Sequence, residues 1–269
     1  MSDISPALPD ALAAFDHIEA RLAGRRPLLC LDYDGTLTPI VARPELAVLD
    51  LDARATLAEV GRVCPTAIVS GRALHDLRER VGVPWLYYAG NHGFEIEGNG
   101  LRLNVGDDHR ALIAAVRDEL ARQLADMPGI LLEDKGYTLS VHYRHAPERV
   151  LPALYSTVDA LLADRPQLAG RTGKKVFEIR PAVDWHKGRA VQWLRERIEG
   201  DLLPVFIGDD LTDEDAFQAI AQDGIGVLVS DTPRTTRAHY RVPDVEAVYR
   251  LIAQVGALAS RTPARAAAG

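Results

Sequence analysis

Short apolar runs that alternate with amphipathic stretches constrain this chain more than any other feature. Leu28–Leu31, Ala67–Val69, Leu86–Ala89, Val205–Ile207 and Ile225–Val229 are apolar along their length, the pattern of strands buried on both faces. Leu51–Val63, Ala73–Val81, Lys187–Ile198 and Thr212–Ala221 carry apolar residues at three-to-four spacing, as do Pro9–Leu22 and Val245–Val255, which predicts helices. The expectation is an α/β fold, a parallel sheet with helices on both faces. From Asp107 to Arg180 the rhythm breaks. Helix Arg110–Ala125, strands Ile130–Glu133 and Tyr137–Tyr143, helix Glu148–Ala163, and strands Gln167–Arg171 and Lys175–Ile179 make an αββ unit twice over. Antiparallel hairpins inside an α/β chain predict an inserted domain, with 1–106 and 181–269 as the core and 107–180 as the insert. The Ala- and Arg-rich stretch from Ala257 to Gly269 is expected to fray.

Three of the core strands run straight into polar clusters: Asp32-Tyr33-Asp34-Gly35-Thr36, Ser70-Gly71-Arg72, and Gly208-Asp209-Asp210-Leu211-Thr212-Asp213. Ligands of open α/β sheets bind beyond the carboxyl ends of strands, so these clusters are expected to converge. Asp32 and Asp34 stand two apart, and strand alternation sends both to one side. Two close carboxylates stay ionised together only beside a cation such as Mg²⁺, for which Asp209 offers a further oxygen. Thr36 and Ser70 offer hydroxyls to a phosphate, and Lys187 opens a predicted helix, where an ammonium and helix-terminal N–H groups attract an anion. Alone, each cluster is a turn, a cap or a solvated charge. Together, in order and each at a strand end, they supply the parts of phosphoryl transfer: nucleophile, cation, hydroxyls and lysine.

These residues resemble the haloacid dehalogenase superfamily, with its Asp-x-Asp-x-Thr, Ser or Thr, Lys and Gly-Asp-Asp motifs matched at Asp32–Thr36, Ser70, Lys187 and Gly208–Asp213. The resemblance implies a Rossmann-like core with Asp32 as nucleophile and Asp34 as general acid, then base. It further implies Mg²⁺ on Asp32, the Asp34 main-chain carbonyl and Asp209, supported by Asp210 or Asp213. A narrower likeness is to trehalose-6-phosphate phosphatases, carried by Asp32–Leu37, Ser70–Arg72, Gly90-Asn91-His92-Gly93, Glu133–Tyr137, His142–Arg144, Glu178–Pro181 and Gly208–Asp215. It implies an αββ-αββ cap that closes over a sugar phosphate held by Glu133, Lys135, Arg144, Lys174 and Glu178, with Thr36, Gly71 and Arg72 also at the substrate. Lys174 and Glu178 share a strand face, and Glu133 and Lys135 share a parity. Parity alone leaves Lys174 or Lys175 as the inward lysine. Asn91 and His92 serve either to close the site or as a turn.

The expected function is Mg²⁺-dependent hydrolysis of trehalose 6-phosphate. The alternatives are a phosphatase of another sugar phosphate, such as a sucrose or mannosylglycerate derivative, and a non-catalytic sugar-phosphate sensor, which the presence of Asp32, Asp34 and Lys187 disfavours. Hydrophobic residues at 47% and charged residues at 26% fit a folded chain. A net charge of −7 argues against a nucleic-acid partner. The chain shows no signal-peptide pattern and no apolar run long enough for a membrane span, so a soluble cytoplasmic protein is expected. Cys30 and Cys64 read as buried thiols. Nothing in the sequence fixes oligomeric state or association with a trehalose-6-phosphate synthase.

Overall fold

Along the strand Arg26–Leu31, side chains alternate between two apolar environments, and this alternation organises the larger part of the molecule. Leu28 and Cys30 pack with Ala190, Val191, Leu194, Ala216 and Phe217, while Leu29 and Leu31 pack with Leu57, Val60, Leu251 and Ile252. A strand apolar on both faces must lie between two helical layers. The computed structural model describes residues 8–173 and 175–261. In chain order the strands are β1 (Arg26–Leu31), β2 (Thr66–Val69), β3 (Tyr87–Gly90), β4 (Glu95–Gly98), β5 (Leu101–Asn104) and β6 (Leu131–Asp134). Then come β7 (Leu139–His142), β8 (Leu168–Gly173), β9 (Val176–Pro181), β10 (Leu202–Gly208), β11 (Ile225–Val229) and β12 (Tyr240–Val242). The helices are α1 (Phe15–Leu22), α2 (Leu51–Val63), α3 (Leu74–Val81), α4 (Arg110–Gln123), α5 (Leu151–Ala163), α6 (Lys187–Arg197), α7 (Glu214–Ala219) and α8 (Val245–Arg261).

The chain divides into two compact units, one running to Leu103 and resuming at Trp185, the other spanning Asn104–Asp184. In the first, the sheet order is β12-β11-β10-β1-β2-β3-β4-β5. β1 lies between β10 and β2, parallel to both, so its carboxyl end is where the strand order reverses direction, the position at which such sheets build sites. α1, α2, α3 and α8 cover one face, α6 and α7 the other. In the second unit β6-β7-β9-β8 form an antiparallel sheet. Leu139, Val141 and Ile179 pack against Ile113, Val116 and Leu120 of α4 and Leu154, Val158 and Leu161 of α5.

The antiparallel β3-β4 pairing and the additions of β5 and β12 depart from the five-strand expectation. Glu95–Gly98 alternates polar with apolar rather than forming an apolar run, and β12 has three residues, so neither produces the signal of a doubly buried strand. The two-residue Asn99-Gly100 link was the legible hairpin mark. The opening helix starts at Phe15 rather than Pro9, and Thr212–Ala221 resolves into a short 3₁₀ turn, Leu211–Asp213, followed by α7. Residues 257–261, expected to fray, continue α8 because Ala259 is buried in the core; the rest of that stretch lies outside the described residues.

The half-buried His239 ties the stability of the first unit to pH. The Gly226 N–H donates to His239 Nδ1 at 2.9 Å, and Nε2 faces the Ala221 carbonyl at 2.9 Å, so the neutral Nε2–H tautomer satisfies both. Burial holds its pKa below the ordinary value, partly opposed by the Ala221 bond. A depressed histidine pKa means the unfolded chain binds the proton more readily, so stability is full above about pH 6.5 and falls as pH drops through the folded-state value. Urea unfolding from about pH 7.5 to about pH 5 should show this loss, and His239→Gln should remove that component of it.

Candidate active site

Asp32 follows β1 directly, and its N–H donates to the Ile207 carbonyl at 2.9 Å, so the adjacent strand fixes its backbone. Its carboxylate is buried and takes a 2.6 Å hydrogen bond on Oδ1 from Lys187 Nζ, which donates equally to Asp213 Oδ1 at 2.7 Å. Lys187 is the first residue of α6 and Asp213 closes the 3₁₀ turn after β10. Burial alone would lower the lysine pKa, but Asp213 and Asp32 more than reverse this, and the ammonium stays charged. Asp32 feels the opposite balance: burial pushes its pKa well above the carboxylate range, Lys187 pulls it down, and Asp213 and Asp209 push it up again.

Carboxylate oxygens of Asp32, Asp209 and Asp213 lie within 4.8 Å of one another. Fully ionised, three carboxylates against one ammonium carry a surplus of two negative charges, which a cation would offset, and an all-oxygen donor set suits a hard divalent cation such as Mg²⁺. Beside them the buried Thr36 hydroxyl has no hydrogen-bond partner among the described residues, an arrangement that costs free energy unless a ligand supplies one. The cluster thus fits a divalent cation and an oxyanion together.

Asp34 departs from the expectation that it shares a bound cation with Asp32. Its carboxylate turns to Arg72, accepting from Nη2 at 2.6 Å and Nε at 2.7 Å, the bidentate fork that guanidinium geometry favours. The cation that offsets Asp34 is therefore part of the chain, and among side chains Asp213 takes the third place in the acidic cluster. Arg72, expected at the substrate, makes further bonds within the chain: Nη1 donates to Asp76 at 2.9 Å and Nη2 also to the Pro44 carbonyl at 3.0 Å. Burial works against its charge, but Asp34 and Asp76 raise its pKa overall. Asp210 forms a reciprocal capping box with Asp213, whose Oδ2 accepts the Asp210 N–H at 2.9 Å, so Asp210 supports the cluster through Asp213. Ser70 Oγ accepts the Arg72 N–H at 3.2 Å, within the turn that holds Gly71.

Asn91 and His92 form a tight turn with φ of 50° and 56°. Their N–H groups donate to the Arg72 and Ser70 carbonyls at 2.7 and 2.8 Å, so the turn braces the Ser70–Arg72 segment. In the second unit, register places Glu133 opposite Ser140, Ser140 opposite Glu178, and Glu178 opposite Arg171. That row crosses the sheet face opposite the helices, and His142 Nε2 lies 2.8 Å from Glu133 Oε2 on the same face. Lys135 begins the turn after β6 and Arg144 is exposed after β7. Lys175 sits at φ 66° with its ammonium 5.9 Å from the Tyr143 ring centre, on the helix side, and Lys174 lies outside the described residues.

Sequence reasoning passed over Asp76 and Arg80, which belong to the Arg72 network. Their signal was present: 72, 76 and 80 alternate in charge at a spacing of four, with Asp76 and Arg80 on one flank of α3 and Arg72 just before its first turn.

The fold is one shared with solved structures of the haloacid dehalogenase-like class. The same fold occurs in such a hydrolase from Bacteroides thetaiotaomicron, with TM-score 0.65, 15% identity, and 86% of this chain and 100% of that one covered. It occurs also in the C-terminal domain of C. albicans trehalose-6-phosphate phosphatase, with TM-score 0.76, 22% identity and 94% and 99% covered. A model of the trehalose-phosphatase family matches residues 30–246. Trehalose-phosphate phosphatase B of Arabidopsis thaliana is 38% identical over 261 residues, covering 91% of this chain and 70% of that protein. "Probable trehalose-phosphate phosphatase 4" of Oryza sativa subsp. japonica is 40% identical over 247 residues, covering 88% and 67%. The chain belongs to the trehalose-phosphatase family and is a phosphatase, a phosphoric monoester hydrolase.

Gly35 offers a test of the cluster. It adopts φ +86°, and a Cβ there would stand 2.3 Å from Asp209 Oδ2, so only glycine lets this turn approach the acid. Gly35→Ala should weaken Mg²⁺ binding, measured by titration calorimetry, by about tenfold or more as Asp209 is displaced.

Proposed function

We propose that this phosphatase hydrolyses trehalose 6-phosphate to trehalose and phosphate through a phosphoaspartate on Asp32. The observation that carries the reading is the buried Asp32 carboxylate, held by Lys187 beside Asp209, Asp213 and the unpartnered Thr36 hydroxyl, in a chain of the trehalose-phosphatase family.

Asp32 attacks phosphorus as the bond to the sugar oxygen breaks, and Asp34 gives that oxygen its proton. Asp34 then takes a proton from the water that attacks the phosphoaspartate, and phosphate leaves with Asp32 restored. Lys187 fixes Asp32 by its Oδ1 and adds positive charge where the phosphoryl group gathers negative charge. The hydroxyls of Thr36 and Ser70 donate to phosphoryl oxygens. Asp32, the Asp34 main-chain carbonyl and Asp209, supported by Asp213, would hold Mg²⁺. Bound there, the ion would neutralise charge on the nucleophile and the phosphoryl group.

The Asn104–Asp184 unit acts as the cap that reads the sugar. Glu133 and Glu178 accept from sugar hydroxyls, Lys135 and Arg144 attract the phosphate, and Lys174 is assigned to the same task. The register of β6, β7 and β9, which sets Glu133, Ser140 and Glu178 in one row, supports this, since a row of acceptors suits a polyol. The protein acts on a small sugar phosphate in the cytoplasm.

Asp32→Asn, nearly isosteric, should keep the fold and reduce phosphate release from trehalose 6-phosphate below about one hundredth of wild type. Detectable turnover above that level would remove the phosphoaspartate. A second variant separates sugar recognition from chemistry. Glu178→Ala should lower kcat/KM for trehalose 6-phosphate by about 1.5–3 kcal/mol, the scale of a hydrogen bond to a charged group, while p-nitrophenyl phosphate turnover stays near wild type. Equal losses on both substrates would instead make Glu178 a structural residue.

A further inference from the structure

Asp34 does not meet Arg72 in isolation. Asp76, in the first turn of α3, accepts from Arg72 Nη1 at 2.9 Å on one side and from Arg80 Nε at 2.8 and 2.9 Å on the other. Four charges thus alternate as Asp34, Arg72, Asp76, Arg80. The two arginines also grip one main-chain segment: Arg72 Nη2 donates to the Pro44 carbonyl at 3.0 Å, and Arg80 Nη1 to the Ala47 carbonyl at 3.1 Å. The Tyr33 hydroxyl donates to that same Ala47 carbonyl at 3.0 Å, and the Arg72 guanidinium lies 5.2 Å from the Tyr33 ring centre. Four of the five guanidinium hydrogen-bond positions on Arg72 are accounted for by Asp34, Asp76 and Pro44. A planar group held on two opposite edges has a fixed plane, and the carboxylate paired with it inherits that orientation.

We infer that Asp76 is a positioning residue, which acts through Arg72 to hold the Asp34 carboxylate in the orientation from which it exchanges protons with the leaving group and with water. The inference rests on the proposed role of Asp34 as acid and base. Each carboxylate oxygen has two lone pairs, so Arg72 can keep its fork on Asp34 while the outward lone pair takes and gives the proton. When the P–O bond breaks, the electron pair stays on the alkoxide oxygen, and the Asp34 proton goes to that oxygen. Without Asp76 the Arg72 guanidinium loses its second edge and turns, and Asp34 turns with it. Burial works against the Asp76 charge, yet Arg80 and Arg72 hold its pKa below the ordinary value, so the link is intact across the working pH range.

Leaving-group dependence tests this without the sugar. A simple alkyl phosphate such as 2-glycerol phosphate needs a proton on its departing oxygen, whereas p-nitrophenolate departs as the anion. Asp76→Asn should lower kcat/KM for 2-glycerol phosphate by about tenfold and leave kcat/KM for p-nitrophenyl phosphate within about twofold. Asp76→Glu should recover most of the loss. Arg72→Lys keeps the charge and loses the fork, so it should show the same split and stands in if Asp76→Asn does not fold by circular dichroism. Asp34→Asn is the reference. A split in Asp34→Asn with equal losses, or none, on both substrates in Asp76→Asn would overturn the positioning role alone. No split in Asp34→Asn would overturn the acid–base reading and this inference with it.

Discussion

A single ammonium group, buried between two carboxylates, holds the catalytic end of the sheet together. Lys187 Nζ reaches Asp32 at the end of β1 and Asp213 after β10 from the first turn of α6, so three elements distant in sequence meet at one charge. A lysine so buried would ordinarily lose its proton. It keeps it because two acids share it, and the acids tolerate burial because the lysine lies between them. Removing the lysine would leave two carboxylates facing each other in a dry environment with no cation between them, which is why the three must be read as one group. Gly208 belongs to the same constraint: a Cβ there would stand 2.4 Å from Asp213 Cγ, so the strand passes the acid at a distance only glycine allows.

The chain solves the problem of two acids two residues apart by giving each its own cation. Asp32 turns to Lys187 and the acidic cluster, Asp34 to Arg72. The separation divides labour along one short loop. The carboxylate of Asp32 belongs to the cluster with Lys187, Asp209 and Asp213, and the one on Arg72 stands outside that cluster. The tight turn that follows them, in which Gly35 N–H donates to the Thr38 carbonyl at 2.7 Å, takes the chain off the line of the strand immediately after Asp34.

Much of this was legible in the sequence because buried parallel strands leave unbroken apolar runs. β1, β2, β10 and β11 were marked in that way, and the polar residues immediately after β1, β2 and β10 had to emerge at the same end of the sheet. Partner choice was not legible. Alternation predicts that Asp32 and Asp34 leave the strand on one side, but the turn at Gly35 follows them at once, and side-chain direction beyond a strand end depends on tertiary contacts that no spacing encodes. The partners of Arg72 were hidden for the same reason: only the fold brings Asp34 and Asp76 to its two edges. The β4-β5 hairpin and β12 escaped because edge strands need not be apolar throughout.

In the Asn104–Asp184 unit a different rule governs. An antiparallel sheet with helices on one face is free to be polar on the other, and the register turns that freedom into a pattern. Leu139, Val141 and Ile179 belong to the covered face, so Ser140 and Glu178, one residue away in each strand, must lie on the other, and pairing carries Glu133 and Arg171 there with them. Even spacing therefore decides which side chains share this face, as long as the backbone stays extended. It fails at Lys175, where φ is 66° and the chain turns between β8 and β9. There the lysine goes to the Tyr143 ring on the covered side, which parity could not have told. A one-residue slip of β9 would exchange Glu178 for Phe177, bury the acid among leucines and expose the ring. The apolar core of the unit and the polarity of its open face are thus fixed by the same register, and neither can change without the other.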